Sequence, residues 1–152
     1  MNPLNLPAYN CKLRQEPEKT LIFDPFRKKY VVLTPEEWVR QHFLHWLVNH
    51  KGYPLGLIAV ETALKYIKMN KRADAIVYSN TGKPQMIIEC KAPEVKISQD
   101  AFDQIARYNY SFGVKFLAVT NGMQHYCCRM KEDTESWQFL EEFPDYQHLS
   151  IL

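Results

Sequence analysis

With 152 residues, 46% of them hydrophobic, the chain has the length and apolar content of one ordinary domain with a substantial core. No apolar run reaches the length of a membrane span, and Met1 to Pro7 lacks the basic-then-apolar pattern of a secretory leader, so a soluble, cytoplasmic protein without a membrane partner is expected. The formal charge of +2 hides a division: all 19 Lys and Arg lie at or before Lys131 with 11 acids, net +8, while the remainder holds six acids and no Lys or Arg, net −6.

In chain order, residues 1–20 contain Pro3, Pro7 and Pro17 and no sustained period, which predicts an extended arm, loosely held. Ile22 to Leu33 is β-prone on either side of the basic run Arg27-Lys28-Lys29 and fits a hairpin laid against the core. Thr34-Pro35-Glu36-Glu37 combines a Thr N-cap, Pro at the first helical position and Glu at the third, so a helix starts there. Val39, Phe43, Trp46, Leu47 and His50 form one stripe of that helix until Lys51-Gly52-Tyr53-Pro54 stops it.

Leu57 to Ile67 fits a helix or a strand and is assigned to a strand. Residues 73–78 and 85–90 flank Ser79-Asn80-Thr81-Gly82-Lys83-Pro84, whose Asn and Gly favour a reversal, giving a β-hairpin. Ser98 caps a second helix with Phe102, Ile105 and Ala106 on its buried side and Gln104 and Tyr108 on another face. Val114 to Thr120 has the near-continuous apolar character of an interior strand, and His125 to Met130 follows as another. The fold class is therefore mixed α/β with an αβββαβ core, one sheet flanked by helices. The arm (1–20), the body (21–131) and the acidic tail (132–152) are the expected divisions. The tail serves solubility or shields the basic body, which suits a polyanionic partner.

Cys11, Cys90, Cys127 and Cys128 include no C-x-x-C pair and the five histidines form no H-E-x-x-H, so neither a disulfide framework nor a zinc site is expected. The hairpin, by contrast, carries acids inside apolar runs: Asp74 amid Ala73, Ala75, Ile76 and Val77, and Glu89 after Met86, Ile87 and Ile88. Charges so placed need partners. Lys91 falls two positions after Glu89, on the same face of an extended strand. Across a hairpin Asp74 and Glu89 would be neighbours that repel unless a cation bridges them, so loss of the Asp74 charge would raise metal-free stability. Hard oxygen ligands suit Mg2+ or Mn2+, with the Cys90 backbone carbonyl as a further oxygen. Such a site fits phosphodiester hydrolysis, with Lys91 beside the attacking water. The plainer alternative is an Asp and a Glu neutralised by Lys91 or Arg72 as an ion pair at the sheet's edge.

Arg72-Ala73-Asp74-Ala75-Ile76-Val77-Tyr78 followed by Ile87-Ile88-Glu89-Cys90-Lys91-Ala92-Pro93 resembles the core of PD-(D/E)XK nucleases, with Ala73 where the name has proline. Gln104-Ile105-Ala106-Arg107-Tyr108 resembles the Q-x-x-x-Y motif that follows in RecB-like members. Within that superfamily the chain is similar to the N-terminal nuclease domain of type I restriction enzyme R subunits. The similarity runs through residues 34–41, Val60-Glu61, Glu89 to Pro93, Gln104 to Asn109 and Val119-Thr120-Asn121-Gly122.

The resemblance implies that the body, residues 21–131, is a Mg2+- or Mn2+-dependent endonuclease acting on DNA. Asp74, Glu89 and Lys91 would be catalytic, Asp74, Glu89 and the Cys90 carbonyl would hold metal, and Glu37 would be a further acid near it. Gln104 and Tyr108 would support the site or meet the substrate backbone, and Arg72, with the basic group Lys65, Lys68 and Lys71, would meet phosphate. Capping alone also explains Glu37. No G-x-x-x-x-G-K-[ST] loop occurs, so a motor is expected on a partner restriction or motor subunit. A fold this small can also dimerise. The alternative is a non-catalytic module that binds nucleic acid or protein on the same fold. A third class, a scaffold subunit, would use Trp38, Trp137 and Phe139 as an exposed apolar surface.

Overall fold

The computed structural model describes residues 1–60 and 73–152. Three short strands open the chain, β1 (Leu13–Gln15), β2 (Thr20–Asp24) and β3 (Lys29–Val32), forming an antiparallel sheet of their own. The β2–β3 reversal has Lys28 in the left-handed region at φ 58°. Helix α1 (Pro35–His50) begins where Thr34 accepts the Glu37 N–H at 3.0 Å, with Pro35 at a position whose N–H would have no helical partner. It ends at Gly52, whose φ of 73° suits glycine.

The second sheet has six strands in the order β4 (Ile58–Val60), β5 (Ala75–Tyr78), β6 (Pro84–Cys90), β7 (Phe116–Thr120), β8 (His125–Lys131), β9 (Ser136–Phe139). All neighbours are antiparallel except β6 and β7, which run parallel and are joined by helix α2 (Gln99–Tyr110) as the crossover. From α1 to β7 the order is the expected αβββαβ. Of the strand assigned to Leu57–Ile67, Ile58–Val60 is β4; residues 61–67 lie outside the described residues, as do Glu61, Lys65, Lys68, Lys71 and Arg72.

Strict alternation along the strands divides the interior into two layers. Ala75 and Val77, Met86, Ile88 and Cys90, Phe116, Ala118 and Cys127 pack with Val39, Phe43, Leu44 and Leu47 of α1. Ile76, Ile87, Leu117, Val119 and Cys128 turn the other way, onto Phe102 and Ala106 of α2. Each fully buried aliphatic or aromatic side chain contributes about 1.5–3 kcal/mol relative to exposure, so both helices are held by the sheet. His50, expected on the α1 stripe, is exposed at the helix end.

The loosely held arm is corrected by the structure. Leu13–Gln15 pairs with β2, and the residues before it lie on the core. Leu4 and Leu6 pack against the α1 layer, Asn5 donates its N–H to Gly122 O at 2.9 Å, and the Trp38 indole N–H donates to Asn2 O at 3.1 Å. Tyr9 stacks on His45 with ring centroids 3.7 Å apart. Residues 132–152 add β9 to the sheet edge and bury Leu149, while the buried Tyr53 hydroxyl donates to Pro144 O. Trp38 and Trp137 are half-buried and Phe139 is exposed. Among the described residues no helix is long and apolar enough to cross a membrane.

Candidate active site

Strand register sets the site. The β5–β6 ladder ends at Ala75↔Ile88; continued by one residue it would oppose Asp74 to Glu89. The chain bends at Asp74, and its carboxylate closes the ladder in place of a backbone group: Oδ2 accepts the Cys90 N–H at 2.7 Å. Its other oxygen, Oδ1, accepts from Nη2 of Arg40 on α1 at 2.9 Å. Glu89, following the alternation of Ile87, is buried toward α2, where the Asn109 side-chain amide lies 3.5 Å from Oε1. Lys91 is half-buried just past β6, and its N–H donates to Thr120 O of β7 at 2.8 Å. The parallel β6–β7 pair thus extends as far as Lys91.

A network of acids and arginines lies behind Asp74. Arg40 donates from Nη1 to Glu37 Oε1 at 2.6 Å, and Nη2 also lies 3.4 Å from Glu36 Oε1. Arg27 donates to the same Glu37 oxygen at 2.6 Å and pairs with the fully buried Asp24. Glu37 Oε2 accepts from the Gln41 amide at 3.1 Å. The Glu37 backbone N–H completes the cap, while its carboxylate goes to Arg27, Arg40 and Gln41.

Burial alone would favour neutral Arg40, but the surrounding carboxylates, Glu37 and then Asp74, outweigh it and hold the guanidinium charge firmly. Burial, then the nearby Asp74 charge, pushes Glu36 above the usual carboxylate range. The same two causes push the buried Cys90 thiol well up, so it is no nucleophile. A hollow of about 600 Å3 opens over this corner, lined by Arg27, Glu36, Arg40, Ala92 and Glu94 among others.

Gln104 lies exposed on α2 and Tyr108 is also exposed, its ring edge against Phe112. Asn109, one residue on, is an α2 side chain that approaches Glu89, and it also donates to Ile105 O at 2.8 Å. Its signal in the sequence is its place seven residues after Phe102, a polar group on an otherwise apolar buried stripe. Asp24, Arg27 and Arg40 were also missed as site residues. Arg40, one turn beyond Glu37, and Asp24, inside a β-prone run, are the corresponding signals.

The donors fit a hard divalent cation by chemistry, being carboxylate and carbonyl oxygens. Among the described residues each Asp74 oxygen has one protein partner, which leaves it a second lone pair. Among the described residues no group of three or more His, Cys, Asp or Glu side chains is arranged to hold a metal.

The family described as type I restriction enzyme R protein N terminus (HSDR_N) matches residues 35–144. Among solved structures, a fragment assigned to an HsdR subunit of a type I restriction enzyme from Vibrio vulnificus is similar in fold, with a TM-score of 0.53 at 20% identity. The match covers 78% of this chain and 25% of that one, so the chain spans about a quarter of the solved fragment. No curated protein matches this sequence.

Proposed function

We propose, for a chain that belongs to the type I restriction enzyme R protein N-terminus family, that the fold is of the PD-(D/E)XK type and hydrolyses phosphodiester bonds of DNA. The observation that carries this reading is the bond from the Cys90 N–H to Asp74 Oδ2 at 2.7 Å. It ties the first acid of the motif to the end of the strand that carries Glu89 and leads to Lys91.

Asp74, Glu89 and the Cys90 carbonyl would hold Mg2+ or Mn2+. Bound there, the ion would supply Lewis acidity to a phosphodiester and to an attacking water. Lys91, anchored through its N–H to β7, orients that water or takes part in its deprotonation. Asn109 orients the Glu89 carboxylate from α2. Glu37 stays with its arginines, so its part is to position Arg40. Gln104, Tyr108 and the basic body, Arg72 included, meet substrate backbone without reading bases. The natural setting is a cytoplasmic restriction system in which other subunits supply translocation and target choice.

A second reading, a non-catalytic module binding nucleic acid or protein, is favoured by one observation: Asp74 already has a cation, Arg40. Incubation of the purified chain with plasmid, linear and single-stranded DNA, with Mg2+ or Mn2+ and with EDTA, separates the two. Metal-dependent cleavage lost in Asp74→Ala supports the nuclease; DNA binding without cleavage under every condition supports the module.

A further inference from the structure

We infer that Arg40 is the internal cation with which a divalent ion competes for Asp74, so that this residue sets the metal affinity of the site. The inference rests on the nuclease reading above. Arg40 extends from α1 with a side chain only 6% exposed, and its two terminal nitrogens bridge different carboxylates. Nη1 is 2.6 Å from Glu37 on its own helix, and Nη2 is 2.9 Å from Asp74 beside the sheet.

The other Asp74 oxygen belongs to the Cys90 N–H. Among the described residues these are the partners of the two oxygens, so a divalent ion would take the second lone pair of one of them, next to a fixed positive charge. Two cations on one carboxylate repel strongly at such range, more so where water is largely excluded. Metal binding and the Arg40–Asp74 contact are thus mutually opposed.

Arg40 also has somewhere to go. Glu36, on the same helix and 47% exposed, already lies 3.4 Å from Nη2, and Glu37 holds Nη1. Moving Nη2 from Asp74 to Glu36 keeps the guanidinium paired, so the exchange strands no buried charge. The released fork would face the hollow lined by Glu36, Arg40 and Ala92, where it could meet a substrate phosphate. Arg40 in this account is a positioning residue that couples metal occupancy to the anion beside it.

Mn2+ titrations of the full chain, followed by calorimetry and by the paramagnetic signal of the free ion, test this with no recourse to cleavage. Arg40→Gln should bind Mn2+ more tightly than wild type by roughly tenfold or more. Asp74→Asn should lose binding in both backgrounds. Unchanged or weaker binding by a folded Arg40→Gln chain that still binds Mn2+ would show that Arg40 props Asp74 for the metal, which overturns the competition and leaves the nuclease reading standing. Absence of Mn2+ binding in wild type and Arg40→Gln alike overturns both. Should Arg40→Gln fail to melt cooperatively, 15N spectra of the wild-type arginine side chains decide. Restrained rotation of the Arg40 guanidinium without metal, released by saturating Mg2+, is the expected result; restraint unchanged with Mg2+ bound refutes the competition.

Discussion

Asp74 accepts the Cys90 N–H and the Arg40 guanidinium on different oxygens, at 2.7 and 2.9 Å. The acid that heads the motif is thereby joined to the strand bearing Glu89 and to helix α1, and its charge is already balanced in part. Repulsion between Asp74 and Glu89, the sequence-based expectation, would make Asp74→Asn stabilising without metal. The Arg40 contact reverses that sign. Asn keeps an oxygen for Cys90 but turns an amide donor toward a guanidinium donor. Loss of one partner from a largely buried pair costs about 1–3 kcal/mol where the acid keeps some exposure. Thermal melts in EDTA should show Asp74→Asn below wild type; a melt above it would restore the repulsion account.

Lys91→Ala separates chemistry from architecture. The Lys91 N–H that bonds Thr120 belongs to the backbone and survives the substitution, and the side chain is only half-buried. Stability should therefore stay within about 0.5 kcal/mol of wild type. Cleavage should fall by roughly two to four orders of magnitude, the range for a group assisting proton transfer. Wild-type rates in a folded Lys91→Ala would remove Lys91 from the mechanism.

Much of this was legible where a local rule decides the outcome. Thr34-Pro35-Glu36-Glu37 marks the start of α1 because cap, proline and acid act within one turn, and the acid-bearing hairpin is marked by Asn80-Thr81-Gly82 between two apolar runs. Partner choice across elements was less accessible. Arg40 finds Asp74 only when α1 lies over the end of β5, a juxtaposition that no spacing in the chain encodes. Asn109 was passed over for Gln104 and Tyr108 because motif resemblance weighs residue type, whereas the face of α2 that meets Glu89 is set by packing of Phe102 and Ala106. The arm offers too few periodic residues to announce that Leu4 and Leu6 reach the core.

One buried and two half-buried histidines, His42 with His45 and His125, give the protein a defined acid sensitivity. Burial lowers the pKa of His42, His45 and His125 below the ordinary 6.5, and the rings of His42 and His45 lie against Tyr9. Below that ordinary value the unfolded chain binds protons that the folded one resists, so stability is complete above about pH 6.5 and declines as pH falls toward the lowered values. His45→Phe preserves a ring for Tyr9 while removing one titrating group. Its melting temperature should fall less steeply than that of wild type between about pH 7 and 5, with the carboxylates titrating alike in both. Equal slopes would show that His45 carries none of the effect.

Gly122 and Leu4 provide a test of how firmly the arm is seated. Gly122 has φ +85°, and a Cβ there would lie 2.8 Å from Leu4 Cδ2 and 3.0 Å from Val39 Cγ2. Gly122→Ala thus incurs a left-handed backbone cost of about 1 kcal/mol or more, together with a clash that the arm or α1 must relieve. Leu4→Ala alone loses packing worth about 2–3 kcal/mol if the arm is seated as described. In the double variant the nearest methyl is gone and only the backbone cost and the Val39 contact remain. The two losses should therefore sum to more than the double variant shows, by about 0.5 kcal/mol or more, in urea unfolding of all four chains. Strict additivity, with Leu4→Ala near neutral, would mean that the arm leaves the Gly122 turn in solution.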